Sequence, residues 1–209
     1  MFGDGSLTFR EFMVHEPLPL ATIHDAVLEF LRGRDDAVLF GAQAVNAYVD
    51  EPRMTQDVDI LSPRAAELAE ELLGYLHQRF QISVRIRSIK AGMGHRIYQI
   101  RKPQNRHLVD VRSVDSLPPH QRMGDVLVLT PAELISTKVL SMVGRPKTAK
   151  GLIDEADLRR LLLVFPELKT TEGTVTERLR AGPASESVLA AWRELVSQEI
   201  LPEDEQSEY

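Results

Sequence analysis

Asp57-Val58-Asp59 carries the strongest chemical signal in the sequence. On a strand, side chains two apart point to one face with Cα atoms roughly 6–7 Å apart, so both carboxylates reach one point while Val58 faces a core. Two bare carboxylates repel, by up to about 4 kcal/mol at about 4 Å in a protein-like dielectric. A divalent cation removes that objection, because Mg²⁺ takes a few carboxylate oxygens together with substrate phosphates. The other reading is two solvated carboxylates on a half-exposed strand. Upstream, the apolar run Ala37 to Phe40 reads as a buried strand ending at Gly41-Ala42, and AQAVNAYV then reads as a short helix. Small residues where a strand passes into a helix let a phosphate approach backbone N–H groups.

Taken in order, the segment is strand, Gly41-Ala42, helix, Arg53-x-Thr55-x-Asp57-x-Asp59. It resembles the signature of the polymerase-β-like nucleotidyltransferase superfamily: a glycine and a small residue, a helix, then Asp-x-Asp on the next strand. Within it, the chain is most similar to the abortive-infection nucleotidyltransferase toxins of the AbiEii type and related small bacterial members, where Arg-x-Thr commonly precedes the aspartates. KVLSMVGR, Lys138 to Arg145, resembles that group's Lys-Leu-x-Ala-x-x-x-Arg motif, and Asp154-Glu155-Ala156-Asp157 its Asp-x-x-Asp motif.

The resemblance implies a third acidic ligand on a later strand. Asp110 in HLVDVRSV fits it, flanked by Leu108, Val109 and Val111, whereas Asp115 lies beyond the apolar stretch and reads as a loop residue. Asp57, Asp59 and Asp110 would then hold Mg²⁺ or Mn²⁺, two ions about 3.5–4 Å apart, for transfer from a nucleoside triphosphate (NTP). One ion would bind the triphosphate and the other the attacking hydroxyl, with Asp110 as a proton acceptor. Gly41, Ala42, Thr55, Lys138, Arg145, Asp154 and Asp157 would bind the nucleotide. Two departures stand out. Ala42 occupies a position where the family has Gly or Ser, and no copy of the toxin group's fourth motif is present. The missing motif bears on the toxin role, and Ala42 motivates an alternative, a catalytically inactive nucleotidyltransferase fold that binds nucleotide or a partner.

The later motifs also have a physical reading of their own. Lys138 and Arg145 are seven residues apart, hence on nearly one helix face. With Lys147 and Lys150 they form either a triphosphate clamp or a solvated helix end with favourably placed cations. Asp154 and Asp157 share a helix face with Lys150 and Arg160 at pairing distance, so surface ion pairs are open beside a nucleotide role.

Several elements must position these groups. Ile23, Val27, Leu28 and Leu31 mark one face of a helix from about Leu20 to Leu31. Ser62-Pro63 is expected to cap the helix AAELAEELLGYL. ISVRIRSI and RIYQI alternate with period two around the turn AGMG, HLVDVRSV and DVLVL are further strands, and helical patterns follow from Thr130 to about Gln198. The expected fold class is α+β: a small mixed β-sheet nucleotidyltransferase core with flanking helices over 1–129, then a C-terminal helical subdomain over 130–200. The acidic tail LPEDEQSEY, 201–209, is expected to be disordered. Trp192 and the last helix's leucines are expected in the core, and His95 and His107 as ordinary surface or half-buried residues.

The 209 residues include no cysteine, which excludes disulfides and thiolate metal sites. MFGDGSLTFREFMVHEP lacks the basic and apolar regions of a signal peptide, and no apolar run approaches the ~20 residues needed to cross a membrane. The expectation is a cytoplasmic protein. A net charge of −6 argues against a general nucleic-acid coat. It leans toward a small-molecule acceptor, while Arg85, Arg87 and Lys90 lean back toward tRNA or another RNA, and a protein acceptor or an antitoxin partner is equally open.

Overall fold

The computed structural model describes residues 18–89, 92–182 and 185–202. The amino-terminal segment, Lys90 and Ala91 of the expected turn, and all but the first two residues of the acidic tail lie outside the described residues. The chain forms two compact units that divide between Leu129 and Thr130.

The first unit holds strands β1 (Val38–Phe40), β2 (Val58–Ser62), β3 (Val84–Ser88), β4 (Gly94–Gln99), β5 (Arg106–Ser113), β6 (His120–Met123) and β7 (Val126–Leu129). They make one seven-stranded sheet in the order β3-β4-β5-β2-β1-β7-β6. The β2–β5 and β1–β7 pairs are parallel and the rest antiparallel, so the sheet is mixed. Helices α1 (Leu20–Leu31) and α3 (Ala65–Phe80) pack on it, and the short α2 (Gly41–Asn46) joins β1 to the segment before β2. The expected stripe of α1, Ile23, Val27, Leu28 and Leu31, is buried. Along α3, Leu68, Leu72 and Leu76 repeat every four residues and are fully buried, the spacing that keeps them on one face.

The second unit holds α4 (Pro131–Gly144), α5 (Ala149–Val164), α6 (Thr174–Ala181) and α7 (Glu186–Ser197), with a 3₁₀ turn at Pro166–Leu168. Pro131 opens α4 at a position where a missing N–H costs nothing. Trp192 is fully buried, and its indole N–H donates to Thr176 Oγ1 at 3.0 Å. A mixed sheet with helices followed by a helical region is the α+β architecture expected from the pattern.

One local expectation needs correction, and two elements add to the sequence pattern. Ser62 is the last residue of β2 rather than a helix cap: its hydroxyl accepts from the Arg64 N–H at 3.0 Å, and α3 starts at Ala65 without a side-chain cap. Strand β6 has no counterpart in the sequence reading, because His120, Gln121 and Arg122 are exposed polar residues on an edge strand and show no apolar alternation. Helix α5 begins at Ala149, capped by Thr148, whose Oγ1 accepts from the Gly151 N–H at 3.0 Å. No helix among the described residues is long and apolar enough to cross a membrane.

Candidate metal and nucleotide site

Strand β2 alternates as its sequence requires: Val58, Ile60 and Ser62 are buried while Asp59 and Leu61 are half-buried on the opposite face. Asp57 immediately precedes the strand and is also half-buried. The parallel β2–β5 register sets Asp59 opposite Asp110, and the antiparallel β4–β5 register sets Asp110 opposite Arg96. Neighbouring strands lie about 4.8 Å apart, so these side chains form one row across a single face. Asp110 is 4% exposed. Arg96 Nε donates to its Oδ1 at 2.9 Å, a charge-assisted bond that keeps this buried carboxylate paired.

Gly41 sits where β1 turns into α2, with φ +68°. A Cβ there would lie 2.0 Å from Asp59 Oδ2, a clash no side chain survives, so the Asp59 carboxylate packs directly against this turn. The loop before Asp57 is clamped by Asn46, whose amide donates to the Arg53 carbonyl at 2.7 Å and whose Oδ1 accepts from the Arg53 N–H at 3.1 Å. Thr55 Oγ1 accepts from the Gln43 amide at 2.9 Å. Asn46 and Gln43 both belong to α2, so that helix holds the loop as well as the turn. Ala42 follows Gly41 in the first turn of the helix.

His107 completes the cluster. Its Nδ1 lies 3.0 Å from Asp57 Oδ2 and its Nε2 2.9 Å from Asp110 Oδ1. Burial opposes a charged ring here, but hydrogen bonds to Asp110 and Asp57 outweigh it and raise the pKa to about 9. Burial would likewise raise Asp110, yet the His107 hydrogen bond and the charges of His107 and Arg96 hold its carboxyl below the usual range. At neutral pH the imidazolium therefore offsets the repulsion between two carboxylates. One ligand atom from each of Asp57, His107 and Asp110 lies within 4.8 Å of the others, and this set of two carboxylates and an imidazole suits a divalent cation.

Regular alternation would put His107 and Asp110 on opposite faces, since they are three apart. A register shift between Ile97 and Tyr98 brings them together: Ile97 faces Val109 and Tyr98 faces His107, leaving Leu108 as the extra residue. Such a bulge re-aims a side chain. The His107 ring then packs on Tyr98, centroids 5.0 Å apart. His107 is half-buried, as the sequence suggests, and its contacts with two carboxylates go beyond that expectation. Arg112 adds a second cation on this face, over the Phe40 ring at 5.2 Å.

The remaining sequence candidates lie in the second unit and contact one another. Lys138, 6% exposed, donates through Nζ to Asp157 Oδ2 at 2.6 Å and Asp154 Oδ1 at 3.1 Å. Arg145 holds Asp154 Oδ2 through Nε and Nη2 at 2.9 and 2.6 Å. Gly151 permits this approach, because a Cβ there would lie 2.2 Å from the Arg145 carbonyl oxygen. Asp154 and Asp157 belong to the buried stripe of α5 with Leu158, Leu161 and Leu162. Their partners include Lys138 and Arg145 within the unit.

No protein-family model matches the sequence, and no curated protein matches it. Solved structures do match in fold. The Megavirus polyadenylate synthase superposes with a TM-score of 0.56 at 14% identity over 75% of this chain and 34% of that one, so the chain spans about a third of that enzyme. JHP933 from Helicobacter pylori aligns at TM-score 0.52 and 13% identity, over 91% of this chain and 90% of that one. A candidate nucleotidyltransferase from H. pylori gives 0.53 and 13%, over 91% and 93%. The chain has a nucleotidyltransferase fold.

Proposed function

We propose that this protein is a metal-dependent nucleotidyltransferase that moves a nucleoside monophosphate from an NTP to a hydroxyl acceptor. The observation that carries this reading is the row Asp59–Asp110 across parallel strands, with Asp57 beside it and Gly41 packed against Asp59. Asp57, Asp59 and Asp110 are the groups that would hold Mg²⁺ or Mn²⁺. When bound, the cation neutralises phosphate charge and polarises the phosphorus under attack. The acceptor hydroxyl gives up its proton, to Asp110 or to solvent, as its oxygen bonds to the α-phosphorus; the bond to the bridging oxygen of the β-phosphate breaks, and pyrophosphate leaves. The Gly41–Ala42 turn gives the phosphates close approach to backbone beside Asp59, and Arg96 and Arg112 add positive charge on the same face. Asp110, whose carboxyl is held below the usual range by His107 and Arg96 despite its burial, is suited to carrying charge at this site. Thr55 supports the loop through Gln43, and a nucleotide contact for Lys138, Arg145, Asp154 or Asp157 rests on the motif resemblance alone.

The acceptor is a hydroxyl on tRNA or another RNA, a protein or a small molecule, and the toxin resemblance motivates the finer reading of a cytoplasmic toxin with an antitoxin partner. The second reading, a nucleotide-binding relative without activity, is favoured by Ala42, which keeps the small size but lacks a hydroxyl. Incubation with each α-labelled NTP, Mg²⁺ or Mn²⁺, and either total RNA or an aminoglycoside decides between them. Transfer of label with pyrophosphate release is expected; NTP binding without product under every acceptor would establish the inactive relative.

A further inference from the structure

We infer that His107 is a nitrogen ligand to the cation and sets which metal this site prefers. The inference rests on the metal-site reading above. It starts from three observations: the imidazole lies within 3.0 Å of both Asp57 and Asp110, a bulge at Leu108 is spent on turning it to their face, and Tyr98 packs against its ring.

The two ring nitrogens have different surroundings. Asp110 is almost wholly buried and already bound by Arg96, whereas the Asp57 side chain is 25% exposed. A cation arriving from solvent therefore meets Asp57 and Nδ1, while Nε2–H remains on Asp110 Oδ1. A ligating imidazole whose other N–H is fixed by a carboxylate is a recurrent arrangement around metals, and it sets the ring's tautomer and orientation. Coordination displaces the Nδ1 proton to solvent. A carboxylate has two oxygens, so Asp110 can orient the ring through one and serve the cation through the other.

Nitrogen changes the preference of the site. Mg²⁺ favours an all-oxygen shell and dehydrates reluctantly, whereas first-row transition cations gain from an imidazole, and Mn²⁺, itself mainly an oxygen-binding ion, accepts one more readily than Mg²⁺ does. The protein is expected to bind Mn²⁺ more tightly than Mg²⁺, and His107→Gln to lower Mn²⁺ affinity by about 10- to 100-fold with a smaller effect on Mg²⁺.

The test is electron spin echo envelope modulation of Mn²⁺ bound to the full chain, alone and with tripolyphosphate, which contains no nitrogen. Directly bound imidazole gives ¹⁴N modulation. We expect it in the wild type, replaced by the ¹⁵N pattern when histidine is ¹⁵N-labelled, and absent in His107→Gln. The labelled wild type decides the matter even if the variant folds poorly. Mn²⁺ that binds, is lost in Asp57→Asn and shows no histidine nitrogen overturns the inference and leaves the metal-site reading intact. Absence of any Mn²⁺ binding overturns both.

Discussion

Asp59→Asn is expected to abolish nucleotidyl transfer while leaving the protein folded. The amide keeps the shape that packs against Gly41 and removes only the charge. Losing several kcal/mol of cation-mediated stabilisation, at about 1.4 kcal/mol per factor of ten, lowers the rate by roughly a thousandfold or more. Stability moves the other way, because Asp59 and Asp110 stand opposite each other in the sheet and one fewer negative charge relieves repulsion. The thermal midpoint is expected to stay or rise, followed by circular dichroism alongside pyrophosphate release. Asp115→Asn, an exposed change outside the row, is the control and should alter neither. A midpoint that collapses in Asp59→Asn would make the aspartate structural.

The second large effect lies in the helical unit and concerns stability. In Lys138→Met the ammonium shared by Asp154 and Asp157 is gone, and both buried carboxylates lose their central partner. Breaking a buried ion cluster by removing one member costs about 3–5 kcal/mol, because the remaining charges are left in a poor solvent. Lys150→Met changes an exposed side chain nearby and should shift stability by no more than about 0.5 kcal/mol. Replacing Asp154 and Asp157 by Asn together with Lys138→Met should recover part of the loss, since no unpaired charge is then buried. Urea unfolding midpoints of the variants check this order. Equal midpoints for Lys138→Met and wild type would show that the cluster contributes nothing to the fold.

Part of the candidate site's geometry is legible in the sequence because it follows simple periods. Asp57-Val58-Asp59 reads as a metal pair once strand alternation is assumed, and Val58 is indeed fully buried. Asp110 stands out as a charge inside an apolar run, and the register places it opposite Asp59. The α1 stripe and Trp192 were readable from apolar spacing alone. His107 was not, because three-residue spacing on a regular strand separates it from Asp110, and the bulge at Leu108 has no local signature such as glycine. Arg96 carries no signal in the sequence, since its partner is fixed by pairing between strands rather than by neighbours in sequence. Lys138 with Asp154 and Asp157 is a similar case: helix spacing places each on a face, but only packing of α4 against α5 shows that those faces are buried against each other.

The most direct test of the central claim is a calorimetric titration of wild type and Asp57→Asn with each NTP, with and without Mg²⁺. The account predicts metal-dependent binding of at least one NTP in the wild type and its loss in the variant, with both proteins folded. A folded wild type that binds no NTP under either condition would contradict it, and the nucleotidyltransferase fold would then serve a different purpose in this chain.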